Sequence, residues 1–288
     1  MKISVIHTGF FKLDGGAMFG VVPKKMWNKL QPADEDNLCT WAMRCLLVDD
    51  GQNRVLIDTG IGDKQDARFF SHYHLHGEQT LLGSLAAAGY RPEDITDVFH
   101  THFHFDHCGG GIRRKGDGFE VVFPHARYWA DQKQWAWATE PNEREKASFL
   151  KENLQPIADL GLLHFLPDGP ESPWPWMELF RTFGHTESMV LPVIQTGNGK
   201  LVFCADLFPS VHHIPMPWIM GYDMRPLETL QDKKRFFYRG LAEDWTLFFE
   251  HDAANECCKL AETEKGVRGG EGFMLRDFLN QGFTHKAS

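Results

Sequence analysis

The sequence of 288 residues has no Cys-x-x-Cys pair, no extended basic run and no stretch approaching about 18 uninterrupted apolar residues. The missing apolar stretch excludes a membrane-spanning helix, and the amino terminus has no apolar leader segment. We therefore expect a soluble, cytoplasmic protein with no membrane partner. In such a chain the six cysteines are expected to be reduced thiols rather than a disulfide framework.

Basic residues are fewer than acidic residues, 30 against 39, which gives a formal net charge of −9. Because nucleic acid is a polyanion, this balance disfavours a nucleic-acid partner. The remaining composition, 42% hydrophobic and 24% charged, is ordinary for a folded protein. We therefore expect a small-molecule substrate, and the sequence is compatible with a homodimer.

The sequence alternates short β-rich segments with longer helical ones. Strands are predicted at the amino terminus and at 44–48, 54–57, 95–99, 177–183, 189–195, 201–204 and 246–249. Helices are predicted at 79–88, 129–138, 143–154, 227–241 and 253–264. Strands in both halves, each followed by helices, indicate an α/β fold in which sheets pack together with helices outside. The proline-rich segment 167–176 is the predicted seam between two lobes.

The most informative of the 15 histidines lie in segment 100–111, directly after the predicted strand 95–99. His102 and His104, two residues apart in extended chain, project to the same side. Asp106 and His107 follow on the turn. Four metal-type ligands so close together do not fit one tetrahedral ion, so their spacing indicates two adjacent ions. The alternative, a histidine-rich surface loop, is disfavoured because such loops rarely follow an apolar strand and rarely end in three glycines.

Three further ligand-capable residues each follow an apolar strand. His185 follows the strand 177–183, Asp206 follows 201–204, and His251 follows 246–249. Binding sites favour such strand ends, because the sheet holds the backbone rigidly while the side chains stay accessible. Each signal is weak alone, but their order after the 100–111 segment predicts that they belong to the same metal site.

Together these residues resemble the metallo-β-lactamase superfamily, whose hallmark is an H-x-H-x-D-H run followed by single His, Asp and His ligands. The resemblance runs from the segment 56–60, which contains the Asp-Thr-Gly element, to His251. It implies an αββα sandwich of two mixed β-sheets flanked by helices, with a dinuclear metal site. We expect one two-lobed domain over residues 1–288, with halves at about 1–165 and 166–288.

The resemblance implies a role for each ligand-capable residue. The first metal ion is held by His102, His104 and His185, the second by Asp106, His107 and His251, and Asp206 bridges the two. Asp58 orients a ligating histidine, with His102 as the expected partner. Imidazole and carboxylate ligands suit zinc, which we favour, and they are also compatible with iron, manganese and cobalt.

Within the superfamily, residues 14–20 with Pro23 and Trp27, and residues 205–208, look most like the lactonase and organophosphate-hydrolase branches. This likeness implies a hydrolase in which a metal-bridging hydroxide attacks a lactone or ester carbonyl, or a phosphotriester. Asp106 is expected to orient the nucleophile and to pass a proton to the leaving group. The amino-terminal segment forms a flap in those proteins, and its apolar side chains are expected either to contact substrate or to pack in the core.

The sequence departs from the acyl-homoserine-lactone hydrolases, which place a tyrosine shortly after the bridging aspartate. Residues 207–210 contain none, so Tyr222 is the predicted catalytic substitute, with His212 and His213 as alternatives. A glyoxalase II-like thioester hydrolase and an iron-dependent sulfur dioxygenase stay open as alternative functions. A second histidine cluster at 72–76 is expected to be a solvated loop.

Overall fold

The structure, a computed structural model, describes residues 1–280. Its strands are β1 Lys2–Asp14, β2 Leu38–Asp49, β3 Arg54–Ile57, β4 Asp97–Phe99, β5 Ile112–Lys115, β6 Gly118–Val121, β7 Arg127–Ala130, β8 Leu163–Phe165, β9 Met177–Thr182, β10 Met189–Thr196, β11 Gly199–Phe203, β12 Thr246–Phe248, β13 Cys257–Thr263 and β14 Gly266–Gly269. Its α-helices are α1 Gly15–Phe19, α2 Lys24–Trp27, α3 Ala67–Ser71, α4 Leu81–Ala87, α5 Phe105–Cys108, α6 Gln132–Thr139, α7 Lys151–Asp159, α8 Pro226–Ala242 and α9 Leu275–Asn280.

The strands form two large sheets and one hairpin. The first sheet has the order β1-β2-β3-β4-β7-β8, the second has the order β14-β13-β12-β11-β10-β9, and β5 pairs with β6. Both large sheets are mixed: β3, β4, β7 and β8 run parallel while β2 is antiparallel to β3. In the second sheet β11 and β12 run parallel while β13 is antiparallel to β12. Two mixed sheets with helices agree with the predicted α/β fold class.

The chain divides into two compact units, each made of three segments. The first unit consists of Met1–Lys12, Ala42–Asp168 and Glu187–Val190. The second consists of Leu13–Trp41, Gly169–Thr186 and the chain from Leu191 onward. The predicted single domain over 1–288, with halves at about 1–165 and 166–288, stays a prediction.

In the first unit, parallel strands deliver two functional segments to the same edge of the sheet. Leu56 on β3 pairs with Val98 on β4, and Val98 pairs with Tyr128 on β7. These three side chains are buried in one apolar core cluster. Because the carboxyl ends of parallel strands share an edge, Asp58 after β3 and the histidine segment after β4 emerge there together.

The second unit repeats this arrangement with β11 and β12. Phe203 at the end of β11 pairs in parallel with Phe248 at the end of β12. The chain therefore leaves both strands at one edge, with Asp206 three residues after β11 and His251 three residues after β12. The long helix α8 packs in the same unit, where Phe236 contacts Trp245 with ring centroids 5.1 Å apart.

Three predicted helices differ from the structure. The helix predicted at 253–264 is wrong. Strand β13 forms there, because Cys257 and Cys258 are buried and pair with β12. Sheet pairing outweighs local helix preference at this position. Segment 143–154 becomes helical only from Lys151, the start of α7, and segment 129–138 is split between β7 and α6. The split falls at Asp131, whose side chain accepts from the backbone N–H of Lys133 (2.9 Å) and caps α6.

Among residues 1–280, no helix is both long enough and apolar enough to cross a membrane.

Candidate metal centre

In the first unit, His102 and His104 lie in extended chain between β4 and α5, as their spacing predicts. Both side chains are buried on the same side, with His102 Nε2 3.1 Å from His104 Nδ1. His107 follows one turn later in α5, and its ring centroid lies 3.9 Å from that of His102. Asp106 Oδ2 is 3.8 Å from His107 Nε2. The four predicted ligands of this segment therefore form one cluster.

The outer nitrogens of the first two rings are held by neighbouring side chains. His102 Nδ1 lies 3.0 Å from Thr101 Oγ1, and His104 Nε2 lies 2.9 Å from Glu145 Oε1. Glu145 is fixed in turn by Trp137, whose Nε1 donates to its other oxygen (2.6 Å). A partner on one ring nitrogen determines the tautomer and points the other nitrogen at a metal ion. Here the nitrogens on the opposite side of the two rings, His102 Nε2 and His104 Nδ1, lie 3.1 Å apart.

Asp58 orients His107 directly and His102 only indirectly. Its Oδ2 lies 3.1 Å from His107 Nδ1 and accepts a hydrogen bond from Thr101 Oγ1 (2.6 Å). Its Oδ1 accepts from the backbone N–H of Thr101 (2.8 Å). The expected contact with His102 is therefore wrong, because the Thr101 hydroxyl lies between the two side chains. Asp58 has a φ of +57°, a conformation uncommon for non-glycine residues that functional sites often retain.

The loop after His107 packs against the chain that follows β3, and only glycine fits. A Cβ on Gly109 would lie 2.1 Å from the carbonyl oxygen of Ile61, and a Cβ on Gly110 2.1 Å from that of Thr59. The buried Lys64 Nζ donates to the carbonyl oxygen of Gly109 (2.5 Å). Burial lowers the pKa of Lys64 to about 8. These contacts fix the backbone that carries His107.

In the second unit, Asp206 lies between two histidines. Its Oδ2 is 3.1 Å from His185 Nε2, and its Oδ1 is 3.2 Å from His251 Nε2. His185 Nδ1 lies 2.9 Å from Asp223 Oδ1. Burial opposes protonation of His185, but the carboxylates of Asp206 and Asp223 outweigh it and raise the pKa of His185 to about 10. Each oxygen of one carboxylate therefore faces a different imidazole.

The donor sets of both units fit divalent cations. Each cluster combines imidazole nitrogens with carboxylate oxygens, the ligands that zinc and other first-row metals accept. Their side chains are buried, and the rings of His102, His104, His107 and His185 have the outer partner typical of ligating histidines.

A sequence profile described as the metallo-beta-lactamase superfamily matches residues 44–251, which is more than two thirds of the chain. The chain belongs to the metallo-β-lactamase superfamily. The predicted resemblance and the predicted fold class, that of the superfamily, are both confirmed.

Several known hydrolases and lactonases are similar to this chain. An N-acyl homoserine lactonase of Bacillus cereus is 24% identical over 240 residues, covering 79% of this chain and 86% of its own. The structure of a probable metal-dependent hydrolase from Staphylococcus aureus matches with a TM-score of 0.86 and 27% identity, covering 95% of this chain and 96% of its own. The dizinc quorum-quenching lactonase AidC, solved with an N-acyl homoserine product, matches with a TM-score of 0.77 and 22% identity, covering 94% and 95%. The predicted enzyme class, a metal-dependent hydrolase of this superfamily, is confirmed.

Sequence reasoning missed two carboxylates that contact predicted ligands, one in each unit. Glu145 lies 41 residues after His104, and Asp223 lies 38 residues after His185. Neither belongs to a motif, and only the fold brings each one to its histidine. The sole sequence signal is general: a ligating imidazole needs an acceptor for its second nitrogen.

The predicted catalytic substitutes have different environments. Tyr222 is 40% exposed and immediately precedes Asp223. His213 is buried, stacks on Phe19 with ring centroids 4.8 Å apart, and its Nε2 lies 2.9 Å from the carbonyl oxygen of Met18. Burial lowers the pKa of His213 to about 3. His213 is thus a neutral packing residue of the second unit, and His212 beside it is half-buried.

The expected apolar flap is largely packed within the second unit. Met18, Phe19, Val22 and Trp27 are buried, and Phe19 stacks on Trp27 with centroids 5.2 Å apart. Val21, between them in the sequence, is 93% exposed. The cluster at 72–76 lies in a turn with its three histidines exposed, as expected of a solvated loop.

Proposed function

We propose that this protein is a dinuclear metal-dependent hydrolase of lactones or carboxylic esters. The observation that carries the proposal is the position of Asp206, whose two oxygens lie 3.1 Å from His185 Nε2 and 3.2 Å from His251 Nε2. A carboxylate with one imidazole at each oxygen is suited to bridging two cations. Membership of the metallo-β-lactamase superfamily and similarity to an N-acyl homoserine lactonase support the same chemistry.

We assign seven residues as metal ligands, in agreement with the sequence expectation. His102, His104 and His185 would hold one ion, Asp106, His107 and His251 the other, and Asp206 both. The support from the first unit is the inward orientation of His102 Nε2 and His104 Nδ1, 3.1 Å apart. The support from the second unit is the Asp206 arrangement. We propose zinc as the ion, because imidazole and carboxylate donors suit it.

Two bound divalent cations would supply a hydroxide nucleophile near neutral pH and a Lewis acid for the carbonyl oxygen. The protein contributes orientation and proton transfer. Asp106, beside His107, would orient the nucleophile and return a proton to the departing alkoxide. Asp58 and Glu145 would hold His107 and His104 in the tautomers that bind metal.

We propose Tyr222 as the hydroxyl donor to the substrate carbonyl. Tyr222 immediately precedes Asp223, whose Oδ1 lies 2.9 Å from Nδ1 of the proposed ligand His185. Its exposure leaves the phenol accessible to a small molecule. Tyr222→Phe is then expected to lower kcat while leaving the metal content unchanged.

The experiment that tests the proposal is a substrate panel on zinc-loaded protein. It compares acyl lactones, aryl esters, phosphotriesters and glutathione thioesters, with Asp206→Asn as the metal-site control. We expect the highest kcat/KM for lactones or esters, and loss of that activity in Asp206→Asn. Activity confined to glutathione thioesters would favour the glyoxalase II-like alternative, and oxygen consumption with persulfide by iron-loaded protein would favour the dioxygenase.

A further inference from the structure

Helix α8 presents a buried polar face that neither the sequence motifs nor the proposed chemistry uses. Thr229 and Asp232 lie on this face, and both are fully or almost fully buried. Buried polar side chains carry a desolvation cost unless they are hydrogen-bonded. Their partners include the backbone immediately before His185 and the carboxylate of Asp223, which contacts the His185 ring.

Asp232 holds the backbone immediately before His185. Its Oδ2 accepts two hydrogen bonds, from the N–H of Phe183 (2.7 Å) and from the N–H of Gly184 (2.9 Å). Its Oδ1 accepts from Arg235 Nη2 (2.5 Å). Bonds from backbone amides to an ionised carboxylate are stronger than neutral ones. The carboxylate thus fixes the end of the chain that leaves β9.

Thr229 holds the ring of His185 through a second residue. Its Oγ1 donates to Asp223 Oδ2 (2.7 Å), and Asp223 Oδ1 lies 2.9 Å from His185 Nδ1. The helix also approaches Gly184 so closely that a Cβ there would lie 2.1 Å from Thr229 Oγ1. One helix therefore fixes His185 from the backbone side and from the ring side.

We propose that Asp232 is a positioning residue that sets the metal affinity of His185. The inference rests on the proposed function, in which His185 is a metal ligand. Without the carboxylate the two amides lose their acceptor, the chain before His185 gains freedom, and the imidazole no longer stays where the metal requires it. Removing a contact that orients a ligating histidine typically lowers the affinity of the site for its metal ion.

The test measures zinc release to a chromophoric chelator from zinc-loaded protein, well below the unfolding temperature. Asp232→Asn keeps the shape of the side chain, but its amide nitrogen must face either Arg235 or the two backbone N–H groups. We expect release of the more labile zinc to accelerate about tenfold, the lower end of the ~10–100-fold effect of outer contacts on metal affinity. Glu243→Gln is the matched control, since Glu243 pairs with Arg239 at the far end of α8. It is expected to release zinc at the wild-type rate.

A double variant shows whether Asp232 acts through His185. His185→Ala alone is expected to lose or loosen one zinc, and adding Asp232→Asn should change the release rate no further, because the two effects share one route. Full additivity, or a wild-type rate for Asp232→Asn, would overturn the positioning role. If His185→Ala kept both zincs at the wild-type release rate, the proposed metal site itself would fail, which is a distinguishable result.

A second variant covers the case in which Asp232→Asn does not fold. Arg235→Gln removes the partner of Oδ1 from a half-exposed position and leaves the Asp232 carboxylate in place but less restrained. It is expected to accelerate zinc release in the same direction and by less. A wild-type rate in Arg235→Gln together with loss of fold in Asp232→Asn would assign Asp232 to stability alone and overturn the proposal.

Discussion

Each of four proposed histidine ligands has one ring nitrogen held by a neighbouring side chain. The partners differ: Glu145 and Asp223 are direct carboxylates, and Asp58 contacts His107 directly but reaches His102 through the Thr101 hydroxyl. The ligands themselves follow from the H-x-H-x-D-H spacing, but these partners do not. They come from positions 38 to 49 residues away, apart from Thr101, and only the folded chain selects them.

Replacing Asp58 by alanine is expected to weaken the site through two histidines at once. His107 loses its direct partner, and Thr101 loses the acceptor of its hydroxyl. Loss of such an outer partner typically costs ~10–100-fold in metal affinity or activity, and excess metal should restore part of the activity. Metal content and chelator sensitivity measure the effect. Thr101→Val, which spares the His107 contact, is the control and should have a smaller effect. A lower Tm with unchanged metal affinity would show that Asp58 only stabilises the Asp-Thr-Gly segment of the fold.

Asp106→Asn is expected to separate metal binding from turnover. Asn can still donate an oxygen to a cation, but it cannot return a proton to a leaving group. Positioned proton transfer contributes ~10²–10⁴-fold, so kcat should fall steeply in that range while most of the fold is kept. Stopped-flow or steady-state kinetics with parallel metal analysis checks this. Near-normal kcat in a variant that retains both metals would transfer the role to another residue or to water.

Lys64, which donates to the loop after His107, is expected to make the stability of the protein depend on pH. Burial lowers its pKa from 10.5 to about 8, so between these values the unfolded chain binds more protons than the folded chain. Stability from this residue therefore rises with pH through that window and is constant below it. The difference in unfolding free energy between wild type and Lys64→Met should grow by up to about 3 kcal/mol from pH 8 to pH 10.5. Urea titrations across the window test it, and a flat difference would contradict the burial argument.

At the level of elements, strand ends and one helix face position the functional groups. The hairpins at 44–57 and 189–203 and the helix at 227–241 are predicted well because their apolar periodicity is strong. Strand β13 is not, because its residues are buried by pairing with β12 rather than by local preference. The same limit applies to α8: its sequence predicts a helix, but not that Thr229 and Asp232 face the chain before His185.

Gly184→Ala is expected to push α8 away from the end of β9. The added Cβ would lie 2.1 Å from Thr229 Oγ1 and 2.3 Å from its backbone nitrogen, so the backbone must shift. Overpacking of this kind costs about 1–3 kcal/mol, and Tm should fall accordingly. Zinc release should also accelerate, because Thr229 and Asp232 move with the helix. Gly197→Ala is the control, since nothing lies within 4 Å of its Cβ, and it should behave like wild type. An unchanged Tm in Gly184→Ala would contradict the close packing of Thr229 against Gly184.

For the molecule as a whole, the sequence predicts the fold class and the superfamily, because the ligand motifs are specific and fall at strand ends. The seven proposed ligands come from both compact units, four from the first and three from the second. The sequence order of these ligands predicts one site, while the outer carboxylates and the helix behind His185 emerge only from packing. We propose that these seven residues form a single dinuclear centre.

The most direct test is anomalous X-ray diffraction from crystals of zinc-loaded protein at the zinc edge. We expect two full-occupancy peaks per chain about 3.5–4 Å apart, the usual spacing in two-metal hydrolases, with Asp206 in contact with both. A single peak in metal-replete protein, two distant peaks, or an Asp206 carboxylate directed away from the metal would contradict it.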